Sequence, residues 1–252
     1  MRKGAVVGLW VWIGLGLAGV ALGENEGREA MFEKDLIETS SGELGITFVG
    51  HGTLMFEFGG KVIHVDPVGA EADYGGIPKG DIILVTHEHG DHLDAEAISK
   101  ARKEGTVILY TKKCAEQLPG GTVIANGEAR EVGGIKVEAV PAYNIQHKRP
   151  SGEPFHPRGV GNGYVITFGD KRVYVAGDTE NTPEMKKLEK IDVAFLPMNL
   201  PYTMTPEMAA DAAKAFRPKV LYPYHYGETD TSELVKLLAE EKEIEVRVRR
   251  MK

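Results

Sequence analysis

The segment Asp81-Ile82-Ile83-Leu84-Val85-Thr86-His87-Glu88-His89-Gly90-Asp91-His92 constrains the fold of this chain more than any other. Its apolar half is an unbroken run, the pattern of a strand buried on both faces. Its polar half then lies where the chain leaves the carboxyl end of a core strand and a crevice can form. His87 and His89 are two residues apart in near-extended chain, so both point the same way and can share one metal ion. Beyond the turn that Gly90 permits, Asp91 and His92 can face a second. The plainer alternative is a solvated acidic–histidine loop. Crowded neutral imidazoles and a carboxylate are the donors that borderline divalent metals prefer, which favours the metal reading.

Two further runs end in the same way. Tyr174-Val175-Ala176 leads to Gly177-Asp178-Thr179, and Leu221-Tyr222-Pro223-Tyr224 leads to His225. Asp178 at a strand end has two oxygens with which to bridge two cations. Taken singly, Gly177-Asp178 is also ordinary turn chemistry and His225 a surface-loop histidine. Beside the His87–His92 cluster, both become candidate ligands.

Composition restricts what the ligands can be. Cys114 is the single cysteine, so any metal must rest on histidine and carboxylate within one chain. The charge of −7, with 37 acidic against 30 basic residues, argues against nucleic-acid binding by bulk charge. Short apolar runs predict strands at 45–50, 54–58, 61–65, 82–86, 106–110, 135–140, 164–168, 172–176, 193–197, 220–223 and 244–248. Helical spacing predicts helices at 95–103, 112–117, 183–188, 206–216 and 232–241. Thr205 before Pro206 and Thr231 or Ser232 read as helix starts, and Asp94 as the cap of the helix at Ala95. Gly59-Gly60 and Gly169-Asp170 read as hairpin turns. The mixture predicts an α/β layered protein with mixed sheets in one domain. A hairpin leading to an acidic turn occurs twice, at Ile63–Asp66 and Tyr174–Asp178, a faint internal echo.

The N-terminus reads as an address. Met1-Arg2-Lys3, an uncharged run to Gly23 and a polar sequel have the layout of a signal peptide cleaved after Gly23. An uncleaved membrane anchor is the alternative, since about 20 apolar residues can span a bilayer. Either way residues 24–252 form an exported domain, periplasmic, extracellular or tethered.

The pattern His87-x-His89-x-Asp91-His92, then Gly177-Asp178-Thr179, then His225, resembles the metallo-β-lactamase superfamily. Gly50-His51-Gly52, His64-Val65-Asp66-Pro67, Val140–Asn144, Phe155-His156-Pro157 and Leu196-Pro197 look like the ascorbate-6-phosphate lactonase-like hydrolases and their relatives. The resemblance spans about residues 44 to 227. It implies a four-layer αββα sandwich of two mixed sheets with a binuclear site at one edge. It further implies one metal on His87, His89 and a middle histidine, another on Asp91, His92 and His225, and Asp178 between them. His156 matches the middle position. His147, among Lys148, Arg149 and Pro150, reads as solvated. Where many members carry a histidine, this chain has Tyr143-Asn144.

His51 resembles a position at the site mouth, touching substrate or a ligand carboxylate. Asp66 is expected to hold a ligand imidazole in one tautomer. His64 and Cys114 read as structural, and Glu88 as pointing away from its neighbours. Two divalent cations, zinc first and manganese or iron as alternatives, would supply a bridging hydroxide that attacks a carbonyl or phosphorus, with Asp91 and Asp178 as catalytic ligands. The expectation is a hydrolase of an ester, lactone, amide or phosphodiester in a small molecule, an anionic one if the basic stretch faces the site. Lys148, Arg149 and Arg158 would form a cationic flap, with solvated surface charge as the alternative. Two other readings of the same residues are iron-dependent oxygen chemistry and an exported metal-binding protein without turnover.

Overall fold

The computed structural model describes Met1 and residues 32–251. The expected signal segment lies outside the described residues apart from Met1, and no helix among those described is long and apolar enough to cross a membrane.

Two seven-stranded sheets carry the fold, each laid down in chain order. The first holds β1 (Glu33–Thr39), β2 (Gly42–Gly50), β3 (Thr53–Phe58), β4 (Lys61–Val65), β5 (Gly80–Leu84), β6 (Arg102–Tyr110) and β7 (Thr122–Val123). The second holds β8 (Ala129–Val132), β9 (Ile135–Ala142), β10 (Gly161–Phe168), β11 (Lys171–Val175), β12 (Val193–Pro197), β13 (Val220–Tyr224) and β14 (Glu245–Val246). Helices α1 (Ala95–Ala101) and α2 (Lys112–Gln117) belong to the first half, α3 (Pro206–Phe216) and α4 (Thr231–Leu237) to the second.

Both sheets change direction at their centre. Strands β1 to β4 pair antiparallel and β4 to β7 parallel. Likewise β8 to β11 pair antiparallel and β11 to β14 parallel. The parallel strands need crossovers, and the helices supply most of them. Past the last paired residue of β4, Asp66 N–H donates to Leu84 O at 2.9 Å; past β11, Ala176 N–H donates to Phe195 O at 3.1 Å. The echo between the halves is thus one of strand direction as well as of sequence.

Four layers result, αββα. The inner faces of the two sheets meet in an apolar core that includes Leu44, Phe56, Ile63, Leu84, Ile166, Phe168, Phe195 and Tyr222. Ile98 and Cys114 of α1 and α2 pack on Ile83 and Val85 of the first sheet. Ala209, Ala213 and Phe216 of α3, with Leu234 of α4, pack on Tyr174, Leu196 and Leu221 of the second.

The differences from expectation sit where periodicity is weak. β1 alternates half-buried and exposed positions through a charged sequence, so its edge-strand character leaves little hydrophobic signal. β7 and β8 are short and mostly exposed. The expected helix at 183–188 is a single 3-10 turn, Met185–Lys187. Asp230, not Thr231 or Ser232, caps α4, its carboxylate accepting from Ser232 N–H. Asp94 and Thr205 cap α1 and α3 as expected. The Gly59-Gly60 hairpin has φ of 56° and 74° at its two glycines, the positive pair a tight two-residue turn requires.

Candidate metal centre

The carboxyl ends of β4, β5, β11 and β13 open on one edge of the sandwich. The segment after β5 carries His87, His89, Asp91 and His92; those after β11 and β13 carry Asp178 and His225. A loop between β9 and β10 adds His156. Donor atoms of His87, His89 and His156 lie within 4.8 Å of one another, as do those of His87, His92 and Asp178, and those of His51, Asp91, His92 and His225.

Asp178 divides its two oxygens between these groups. Oδ2 faces His156 Nε2 at 3.3 Å and His87 Nε2 at 3.9 Å, while Oδ1 faces His92 Nε2 at 3.4 Å and His225 Nε2 at 3.5 Å. Asp91 Oδ2 lies 3.5 Å from His225 Nε2 and 3.8 Å from His92 Nε2. His92 Nε2, His225 Nε2 and Asp178 Oδ1 are buried without a hydrogen-bond partner. Buried polar atoms are rarely left so, because each forfeits its solvation. His87 Nε2 and His89 Nδ1 stand 3.1 Å apart. The donor set and these orphaned atoms fit metal binding.

The other ring nitrogens of His92, His87 and His156 are held from behind. His92 Nδ1–H donates to Asp66 Oδ2 at 2.7 Å; the Thr86 hydroxyl donates to the same oxygen at 2.6 Å, and Thr86 N–H to Oδ1 at 2.7 Å. His87 Nδ1 lies 3.0 Å from Thr86 Oγ1. His156 Nδ1–H donates to Asn144 Oδ1 at 2.7 Å. In each case Nε2 is the nitrogen left for a cation. Gly52 passes so close that an added Cβ would fall 2.7 Å from His92 Cε1.

Electrostatics suit ligation. Burial, helped by His92, holds His87 well below the ordinary histidine pKa, and burial, helped by His156, lowers His89, so both are neutral donors. Burial opposes ionisation of Asp178, but His225 and His92 outweigh it and hold the carboxyl well below its usual range. Burial also works against a charged His92, yet Asp178 and Asp66 raise it to about 9. A cation there must displace that proton, so binding releases it.

The remaining expected residues separate. His51 sits at the mouth with Nε2 3.4 Å from Asp91 Oδ2 and its ring 3.8 Å from that of His225, within reach of a cation as well as of substrate. His147 belongs to none of the donor groups; its Nδ1 lies 2.8 Å from Glu180 Oε1. His64 is buried and bonded to Pro78 O at 2.9 Å. A cleft of about 500 Å³ is lined by His51, Asp91, Arg149, Phe155, Asn199 and Tyr202 among others. Of the expected flap, only Arg149 lines it. Lys148 bridges to Pro154 in the loop, and Arg158 is drawn off to Glu184 at 2.6 Å and over the Tyr143 ring.

Asn144 and Glu180 have roles that the pattern of donors did not indicate. Glu180 is fully buried and accepts from the backbone N–H groups of Ile145, Gln146 and His147 at 2.7, 2.7 and 2.6 Å. Asn144 Nδ2 donates to it at 3.2 Å. Glu180 thereby anchors the base of the loop that carries Arg149, Phe155 and His156. Its signal was its place two residues after Asp178, visible only once the loop is seen to fold against it.

A model of the beta-lactamase superfamily domain matches residues 45–225, a span that contains every donor from His51 to His225. The UPF0173 metal-dependent hydrolase of Thermococcus onnurineus is 34% identical over 220 residues, which cover 79% of this chain and 94% of that protein. A crystal structure from Parabacteroides distasonis, assigned as a metal-dependent hydrolase, aligns with a TM-score of 0.84 and 50% identity over 88% of this chain and 100% of that one. The metallo hydrolase Igni18 of Ignicoccus hospitalis aligns with a TM-score of 0.67 and 26% identity over 82% and 95%. With this fold, these strand-end donors and these relatives, the chain belongs to the metallo-β-lactamase superfamily, among its metal-dependent hydrolases.

Proposed function

We propose that the protein is a binuclear hydrolase of small molecules in which water attacks an ester, lactone, amide or phosphodiester directly. The observation that carries this reading is the division of Asp178, one oxygen toward His87 and His156 and the other toward His92 and His225. His87, His89 and His156 on one side of Asp178, and Asp91, His92 and His225 on the other, would hold divalent cations, zinc by preference for imidazole and carboxylate, which would supply an activated water and a Lewis acid for the substrate oxygen.

The chain's own residues set the rest. Asp178 keeps the two donor groups in fixed relation, and Asp66, Thr86 and Asn144 prevent the imidazoles from turning. His87, His92, Asp178 and His225 are buried, whereas the Asp91 side chain is half exposed, so substrate enters past Asp91 and His51. Among the described residues, no serine, threonine or cysteine lines the cleft. That favours direct attack by water over a covalent acyl-enzyme. The lactonase-like motifs make lactones the first esters to try. We further infer that the domain acts in an exported compartment, on the layout of residues 1–23.

The test is a screen of lactones, phosphodiesters and N-acyl compounds with metal-stripped protein reconstituted with zinc, manganese or iron. The proposal expects hydrolysis that appears on reconstitution and disappears in Asp178→Ala. Fully loaded protein that hydrolyses none of the three classes would contradict it.

A further inference from the structure

Arg149 is the single lysine or arginine lining the cleft among the described residues. Its guanidinium lies 5.3 Å from the Phe155 ring centroid, and Nη2 donates to Phe155 O at 3.3 Å. Among the described residues, no carboxylate lies within ion-pair distance of it, whereas Arg158 nearby is paired with Glu184. The cleft's own acids are spoken for, since Asp91 and Asp178 face histidines. Stacking and one backbone bond hold the planar group while leaving further N–H donors for an anion.

The wall beside it is apolar. Phe155 meets Tyr202 edge to face at 5.1 Å, and Tyr202 is 45% exposed at the cleft. Phe155 directly precedes His156, whose Nε2 faces Asp178, so the wall adjoins the metal donors. Glu180 fixes the base of this loop, which limits how far the subsite can drift.

We propose that Arg149, Phe155 and Tyr202 form a substrate subsite for a small molecule carrying a carboxylate or phosphate next to a flat apolar group. The assignment rests on the hydrolase reading for its place in catalysis, but binding tests it separately. A charge-assisted contact of this kind discriminates an anion from its neutral analogue by roughly tenfold or more.

Calorimetry on zinc-loaded protein supplies the test, with 3-phenylpropionate, 2-phenylethyl phosphate and 3-phenylpropionamide as probes. One or both anions should bind roughly tenfold tighter than the amide, and which does so distinguishes carboxylate from phosphate. Arg149→Gln should reduce that preference toward one, and Arg149→Lys should restore part of it. Lys148→Ala should leave it unchanged. Tyr202→Ala should weaken 3-phenylpropionate more than propionate. Equal binding of anions and amide, or a preference that survives Arg149→Gln, overturns the subsite. Turnover of 4-nitrophenyl hydrogen glutarate against 4-nitrophenyl pentanoate reports the same ratio in catalysis. A binding preference lost in Arg149→Gln without hydrolysis of any compound would uphold the subsite and overturn the hydrolase reading.

Discussion

Asp66 Oδ2 accepts a hydrogen bond from His92 Nδ1 at 2.7 Å, and both side chains are buried. The bond turns His92 Nε2 toward Asp178 and Asp91 and fixes the tautomer a cation requires. Asp66→Asn halves the acceptor capacity that Thr86 and His92 share. It should lower affinity for the cation at His92 by about 10- to 100-fold. Competition of metal-loaded protein with a chelator of known affinity measures this, and unchanged affinity in the variant would count against the assigned role.

Glu180 acts through the loop rather than on the substrate. In Glu180→Gln the side chain retains its size but replaces one of two accepting oxygens by a donor, which opposes the two N–H groups that oxygen now receives. The expected outcome is a rise in KM larger than the fall in kcat, together with loosening of His156. X-ray absorption counting of imidazole ligands separates that loosening from a general loss of fold. A variant with KM and histidine count both unaltered would show that the anchor is dispensable.

Asp35 joins β1 to the C-terminal segment. It takes a bidentate contact from Arg249 at 2.8 Å, a contact from Arg247 at 3.4 Å and a hydrogen bond from Tyr222. Burial opposes ionisation, but the Tyr222 hydroxyl and the two guanidinium groups prevail and lower its pKa. A lowered carboxylate pKa stabilises the fold above the unfolded value of about 3.9 and loses that contribution as pH falls through the folded value. Losing these charge-assisted contacts in Asp35→Asn should cost about 2 kcal/mol at pH 7, and the gap from wild type should begin to narrow as pH falls below about 4. Urea unfolding across pH 3 to 8 checks the sign; a gap that widens in acid would reverse it.

Export predicts a new N-terminus. Mass spectrometry of protein recovered from its native compartment should show a chain starting at Glu24. A chain retaining Met1 in the membrane fraction would instead favour the anchor.

Much of the site was legible in the sequence because its donors sit at the ends of strongly apolar strands. Val85 to His92 and Tyr174 to Asp178 place their own candidate donors by local chain geometry. The mixed sheets were legible for the same reason and the four-layer sandwich through the family resemblance, whereas β1, an edge strand with charged faces, gave no periodic signal. The cationic flap was not readable by spacing. Lys148, Arg149 and Arg158 lie within eleven residues, yet loop curvature sends one to the cleft, one to Glu184 and one to a backbone bridge. Asn144 and Glu180 act across 36 residues of sequence, a contact that only the folded loop creates.

The central claim is that Asp178 joins two cation positions, and metal stoichiometry tests it most directly. Metal-stripped protein titrated with zinc, with content checked by elemental analysis, should bind two equivalents in wild type. Asp178→Ala should lose at least one of them while its circular dichroism spectrum stays unchanged. A single equivalent in wild type, or two retained at full affinity in Asp178→Ala, would contradict it.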